Sequence, residues 1–308
     1  MKIFYKTVLI LLIFTFSQFL SAQEEIQYTQ YMYTPSLLNP AFVGMREEMN
    51  ISIIHRSQWV GVNGAPISQS LVFDTPINDN VGFGLNVLHD KIGPAQVMNV
   101  TMDVSYLLQL NNNGLKLSFG MKGGGQLLNV DFNKLLVNDP NDEGLKENIN
   151  SRFSPTIGTG VYLYNQQWYV GLSTPNFLIS EHYNKTLVSS VANSTHYYLI
   201  GGINFDINNQ VKLKPTVLFK GVAGSPLSMD LSLNALINEA FTVGVSYRKG
   251  ASISGLFDVK VNSNLSIGYS YDYATTAISN FSGGSHEILL RWNVYRLFTG
   301  VHKPTWFY

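Results

Sequence analysis

Leu265-Ser266-Ile267-Gly268-Tyr269-Ser270-Tyr271-Asp272-Tyr273 is the stretch that decides the fold. Its odd positions are apolar or aromatic and its even positions small or polar, and a period of two places the two sets on opposite faces of one β-strand. The same dyad recurs upstream. Phe241, Val243, Val245 and Tyr247 alternate with Thr242, Gly244, Ser246 and Arg248. Ala251, Ile253, Phe257 and Val259 alternate with Ser252, Ser254, Asp258 and Lys260, and Val211, Leu213, Val217 and Phe219 with Lys212, Lys214, Thr216 and Lys220. The polar partners are expected to point into a lumen.

A soluble β-sandwich also alternates, so charge has to separate the two architectures. Only 13% of the residues are charged, against about a quarter in ordinary soluble domains, while glycine numbers 26 and tyrosine 17. Such a chain has too little charge to coat a water-exposed surface. The polar face here is mostly Gly, Ser and Tyr, whereas the wet face of a sandwich is dense in Lys, Glu and Thr. The opening residues carry Lys2 and Lys6, an apolar run from Val8 to Leu20 and the small pair Ser21-Ala22, the order found in a secretory signal peptide. Residues 1–22 are therefore read as a signal peptide, with the mature chain starting at Gln23. Beyond them no apolar run approaches the roughly 20 residues of a spanning helix. An exported, weakly charged chain without long apolar runs is expected to be an all-β protein, a closed antiparallel transmembrane β-barrel, which satisfies every backbone group between strands.

Counting periodic segments gives strands near 50–58, 67–75, 80–89, 95–109, 114–128, 152–164, 167–173, 194–206, 210–220, 227–237, 239–248, 251–261, 264–273 and 285–295. That is about fourteen strands, an even number as single-chain bacterial barrels require. Alternate joins are short and rich in asparagine, at Leu110 to Asn113, Asn165-Gln166, Asn208-Asn209, Asn238 and Asn262-Ser263, whereas the long ones, near 129–151, 174–193 and 274–284, all fall on the other side. Short periplasmic turns and long outer loops place the protein in the cell outer membrane with both termini periplasmic. The expected division is a signal peptide (1–22), a periplasmic segment or plug (23–49), the barrel in lipid (50–297) and a tail (298–308). Residues 23–49 carry Tyr28, Tyr31, Tyr33, Pro35 and Pro40 without alternation. They are open to two readings, filling of the lumen or docking of a periplasmic partner.

Other chemistry is thinly represented. Once Lys2 and Lys6 are removed, acidic residues exceed basic ones by two, so no nucleic-acid partner is expected. Cysteine is absent, which leaves no disulfide, no thiolate metal site and no lipidated cysteine. Six scattered histidines lack metal-ligand spacing, and Gly82-Phe83-Gly84 and Gly123-Gly124-Gly125 lack the lysine and helix of a phosphate loop. No metal, no cofactor and no catalytic residue is expected, and the protein is read as not an enzyme. Glycines on an inward barrel face are the better account of those runs.

The most distinctive segments are Tyr28-Thr29-Gln30-Tyr31-Met32, Asn39-Pro40-Ala41 with Gly44, Arg56-Ser57-Gln58-Trp59-Val60-Gly61 with Gly64-Ala65-Pro66, Asp74 with Pro76, Gly82 with Gly84, Asp90-Lys91-Ile92-Gly93-Pro94 and Gly284-Ser285-His286-Glu287. In order and spacing they resemble the PorP/SprF family over essentially the whole mature chain. The resemblance implies an outer-membrane barrel of the type IX secretion system, partnered by secreted cargo such as a gliding adhesin and by periplasmic or outer-membrane secretion components. Arg56, Gln58, Trp59 and Asp90 are the candidate partner-binding residues, since strand counting sets the Arg56 to Pro66 and Asp90 to Pro94 segments at one mouth. Their alternative is purely structural, with Trp59 in an interfacial aromatic girdle and Arg56 paired to Asp74 in the lumen. The competing function is a pore for small solutes, which should show an open lumen ringed by charge.

Overall fold

The computed structural model describes residues 26–294 apart from residues 47, 113, 135–147, 179–194 and 223–224. The signal-peptide reading of 1–22, the tail 298–308 and the centres of the two longest loops lie outside the described residues. Fourteen antiparallel strands form one sheet: β1 (Met49–Ser57), β2 (Ile67–Pro76), β3 (Val81–Ile92), β4 (Ala95–Gln109), β5 (Lys116–Val130), β6 (Ile149–Tyr164), β7 (Trp168–Thr174), β8 (His196–Ile203, resumed after Asn204 by Phe205–Asp206), β9 (Val211–Val222), β10 (Ser228–Ile237), β11 (Phe241–Arg248), β12 (Ser252–Lys260), β13 (Leu265–Ala274) and β14 (Ser285–Val294). Each strand pairs with its neighbours in sequence, and β14 pairs with β1 from Met49↔Val294 to Ser57↔His286. That last ladder closes the barrel and leaves no free edge.

The alternation has the sense a membrane requires. On β13, Ile267 is 41% exposed and Tyr273 56%, while Ser270 is 0% and Asp272 3% exposed. Apolar residues face outward towards lipid and polar ones inward, the reverse of a water-soluble domain. No helix among the described residues is long and apolar enough to cross a membrane.

Asparagine builds the short turns by a common device. The Asn78 side-chain oxygen accepts from the amides of Asn80 at 2.9 Å and Val81 at 2.8 Å. Asn165 does the same for Gln167 and Trp168, Asn208 for Gln210 and Val211, and Asn262 for Asn264 and Leu265. A short side chain that satisfies two amides of its own turn explains why these joins read as asparagine. In the β10–β11 turn Asn238 and Glu239 both take left-handed φ, 51° and 53°, the pairing a tight two-residue hairpin needs.

Several strands outrun their sequence bounds on the side of the long joins. β3 extends to Ile92, so Asp90, Lys91 and Ile92 are strand and not loop. Ile92 pairs with Ala95 across only Gly93 and Pro94, with Gly93 at φ +54. β4 and β5 are 15 residues each and β6 is 16, more than the roughly 9–11 that span a bilayer, so their ends form a wall standing clear of it.

Residues 26–46 fill the lumen as three short 3-10 turns, Tyr31–Tyr33, Pro35–Leu37 and Pro40–Phe42. The core of the protein sits here and not between layers. Tyr28, Tyr31, Phe42 and Met45 of the plug pack against Ile54, Tyr162, Tyr198, Ile200, Leu218 and Leu289 of the wall. Phe42 meets Tyr162 edge-on at 5.6 Å between ring centroids, and Tyr162 stacks on Tyr169 at 5.5 Å. β1 begins and β14 ends at the short-turn mouth, whereas Ile26 lies towards the long-join mouth. The chain ends themselves lie outside the described residues.

Glycine lets the plug approach the wall. A Cβ on Gly82 would fall 2.1 Å from the Val43 carbonyl oxygen, and one on Gly120 would fall 2.1 Å from the Ala41 amide nitrogen. Both obstacles are backbone and cannot rotate aside. Gly120→Val is expected to lower stability by about 1–3 kcal/mol through overpacking. The temperature at which the detergent-solubilised barrel loses its fast gel mobility should fall accordingly. An unchanged temperature would mean that the plug is not seated against Gly120.

Candidate functional site

The plug is held by charge as well as by packing. Arg56 on β1 is 1% exposed and donates to Asp272 at 2.6 Å and Glu287 at 3.1 Å. Those same carboxylates receive the plug: the Thr29 hydroxyl donates to Asp272 at 2.7 Å, and the Thr29 and Gln30 amides donate to the two Glu287 oxygens, each at 2.9 Å. One guanidinium thus bridges two wall carboxylates that also receive three plug donors, and those charge-assisted bonds offset the burial of Glu287. Further along, Arg291 pairs with Asp258 at 2.7 Å and lies 4.5 Å over the Tyr33 ring. Arg46 donates to the Tyr33 carbonyl at 2.6 Å and faces Asp74 at 3.8 Å.

Neutral contacts complete the seal. Asn39 caps Ala41 with its side-chain oxygen and donates its amide to the Val161 carbonyl at 3.0 Å. Ser173 donates to the Leu38 carbonyl at 2.8 Å and Ser105 to the Val43 carbonyl at 2.6 Å. The wall thereby satisfies backbone that would otherwise be orphaned inside the barrel.

The four sequence candidates divide into two pairs. Gln58 and Trp59 sit half-buried at the long-join mouth. Arg56 and Asp90 do not meet them there. Arg56 is consumed by the lumen network, and Asp90 is 8% exposed and accepts from the Ser68 hydroxyl directly across the ladder at 2.5 Å. The structure therefore does not bring Arg56 and Asp90 together with Gln58 and Trp59: both are turned into the barrel, Arg56 against Asp272 and Glu287 and Asp90 against Ser68. Arg56 also does not pair with Asp74. Register puts Asp74 opposite Asn50 and Arg56 opposite Ser68, six residues or roughly 20 Å apart along the strand.

What the mouth does present is a braced rim. The Val60 amide donates to the Gly284 carbonyl at 2.9 Å, the Gly283 amide returns to the Val60 carbonyl at 2.7 Å, and the Gly93 amide donates to the Gly64 carbonyl at 2.9 Å. The β1–β2 loop is therefore stitched to the β13–β14 loop on one side and the β3–β4 turn on the other. Trp59 takes a left-handed φ of 47° and its amide donates to the Ser285 hydroxyl at 3.2 Å, which fixes the bend. Beside it runs an open groove of about 740 Å³ bordered by Gln58, Val60, Val62, Ile67, Lys91 and Lys134. Val60 and Ile67 are exposed there, and Lys91 and Lys134 border the same groove, the Lys134 ammonium reaching Asp131 at 3.1 Å. That hydrogen bond to Lys134 holds the exposed Asp131 carboxyl below its ordinary pKa. Among the described residues no cluster of His, Asp and Glu has the spacing to hold a metal ion.

A family model described as type IX secretion system membrane protein PorP/SprF matches residues 20–292. Among solved structures, the monoaromatic hydrocarbon channel CymD is similar at a TM-score of 0.50 and 14% identity, covering 88% of this chain and 94% of that one. The toluene transporter TbuX of Ralstonia pickettii is similar at 0.50 and 10% identity, covering 86% and 93%. At these identities the likeness is one of fold. A search of curated proteins returns no match.

Proposed function

Since the chain belongs to the PorP/SprF family of type IX secretion system membrane proteins, we propose that it is a non-enzymatic outer-membrane barrel that holds a secreted or surface protein, such as a gliding adhesin, at its long-join mouth. Its partners in this reading are outer-membrane lipid, the cargo protein and other secretion components. Short asparagine turns face the periplasm and the long joins face outward.

The observation that carries this reading is the filled lumen. Residues 26–46 are clamped by Arg56, Asp272 and Glu287, and the two cavities that border them measure about 20 and 30 Å³. A solute pore needs an open, hydrated path, whereas a holder needs a rigid platform, and the cross-stitched rim supplies one. The channel reading draws on the hydrocarbon and toluene carriers, whose likeness is confined to the fold.

The test uses side chains that border the groove and that the barrel does not need. Gln58→Ala with Val60→Asp should leave barrel abundance and heat-modifiability intact and cut cargo display at the surface by about tenfold or more, the scale of a lost interface hot spot. Normal display by a normally abundant double variant removes this groove as the holding site.

A further inference from the structure

Below the rim, the outward face of β1, β2 and β3 changes character in register. Ile53 lies opposite Leu71, and Leu71 opposite Val87. At the next outward position towards the long joins, His55 lies opposite Gln69, and Gln69 opposite His89. One position further, Ser57 lies opposite Ile67, and Ile67 opposite Lys91. The wall thus passes from a wholly apolar row to mainly polar ones within about 7 Å of strand, the rise of two residues.

This polar face can donate hydrogen bonds and carries no negative charge. The carboxylates of β1, β2, β3 and β14 are Asp74, Asp90 and Glu287, and all three are turned inward, none more than 8% exposed. Lys91 is exposed, and among the described residues no carboxylate pairs with it. The Gln69 side-chain amide donates to His55 Nδ1 at 3.5 Å, which leaves the imidazole proton on Nε2. That nitrogen donates to the Ser57 hydroxyl oxygen at 3.2 Å, so the Ser57 proton is free for an acceptor outside the protein. Ser57, Ile67 and Lys91 border one open groove, so the hydroxyl and the ammonium serve the same space. His55 and His89 belong to no metal-binding cluster.

We propose that this face binds the phosphorylated headgroup of a lipid in the leaflet on the long-join side. The Lys91 ammonium pairs with the phosphate, the Ser57 hydroxyl and the His89 imidazole donate to its oxygens, and the acyl chains lie along Ile53, Leu71 and Val87. The anion is a lipid and not free phosphate because the donors sit directly against outward apolar side chains, Ile53 being 49% and Leu71 42% exposed. A headgroup anchored there fixes the height of the rim above the bilayer. The inference stands apart from the holding of cargo, since lipid retention is a property of the barrel alone.

The test incubates the detergent-solubilised barrel with lipid A bearing its phosphates, or with the same lipid A after their enzymatic removal, and counts retained lipid by native mass spectrometry. Retention of the phosphorylated form should exceed that of the dephosphorylated form by about tenfold or more, the scale of a charge-assisted hydrogen bond. Lys91→Gln with Ser57→Ala should abolish the difference while the barrel keeps its heat-modifiability. If that double variant does not fold, Lys91→Arg against Lys91→Glu decides: the first should retain the lipid and the second lose it. Equal retention of the two lipid forms overturns the proposal, and so does equal retention by Lys91→Arg and Lys91→Glu. Displacement of the lipid by an equal concentration of inorganic phosphate overturns it in favour of a free anion. A protein that co-purifies with the unaltered barrel and is lost from Lys91→Glu, with no phosphorylated lipid on either, gives the face to a protein instead.

Discussion

Arg56→Ala is expected to remove about 3–5 kcal/mol from the folded state, because it strands two carboxylates inside the barrel. Arg56 is almost fully buried, and its partners Asp272 and Glu287 are 3% and 0% exposed. Neither carboxylate has another cation within ion-pair distance among the described pairs. Their loss of the guanidinium also loosens Thr29 and Gln30, whose hydrogen bonds end on the same two carboxylates. The result should be less barrel in the membrane and a lower unfolding temperature. A triple variant, Arg56→Met with Asp272→Asn and Glu287→Gln, removes the charges together and should recover much of the loss, since the penalty belongs to unpaired charge and not to missing volume. Equal damage in the single and triple variants would mean that packing around the Arg56 stem is what matters.

The second large effect lies on the outer wall. Ile267 is an outward residue of β13, opposite Val259 on β12 and Leu290 on β14. Replacing it with Arg should cost about 2–4 kcal/mol if that face meets the hydrocarbon midplane. The same replacement at Val60, which is exposed on the rim, should stay within about 0.5 kcal/mol. Reversible unfolding of the barrel in lipid vesicles measures both. Equal tolerance at the two positions would argue against lipid contact at Ile267.

Most of the wall was legible in the sequence because a strand in lipid obeys one rule. Apolar and polar faces must alternate, as Leu265 to Tyr273 do, and the turns must satisfy their own amides, as the asparagines do. The ends of β3, β5 and β6 were not legible. Beyond the bilayer the outward face no longer has to be apolar, so the pairing of Asp90 with Val97 or of Leu128 with Arg152 leaves no period in the sequence. The plug was legible only as an irregular aromatic segment, since its 3-10 turns repeat too briefly to give a pattern and its contacts are to residues far along the chain.

The site divides along the same line. Arg56-Ser57-Gln58-Trp59 reads as one motif, yet parity separates its members. Asn50, Ser52, Ile54 and Arg56 alternate inward, which was the available sign that Arg56 belongs to the lumen while Gln58 and Trp59 lie past the strand end. Much of what carries the family resemblance proves to be interlock: Tyr28, Thr29 and Gln30 on the plug, Asn39 at its bend, Asp74 facing Arg46, and Glu287 on the wall. The rim, where Gln58 and Trp59 lie past the end of β1, carries little periodic signal.

The plugged lumen is the point on which the holder and the pore part company, and single-channel recording on the intact protein in a planar bilayer addresses it directly. With residues 26–46 clamped at Arg56, Asp272 and Glu287, inserted barrels should pass no steady ionic current at moderate voltage. A stable ohmic conductance from the unaltered protein would contradict the account and return the barrel to the solute channels.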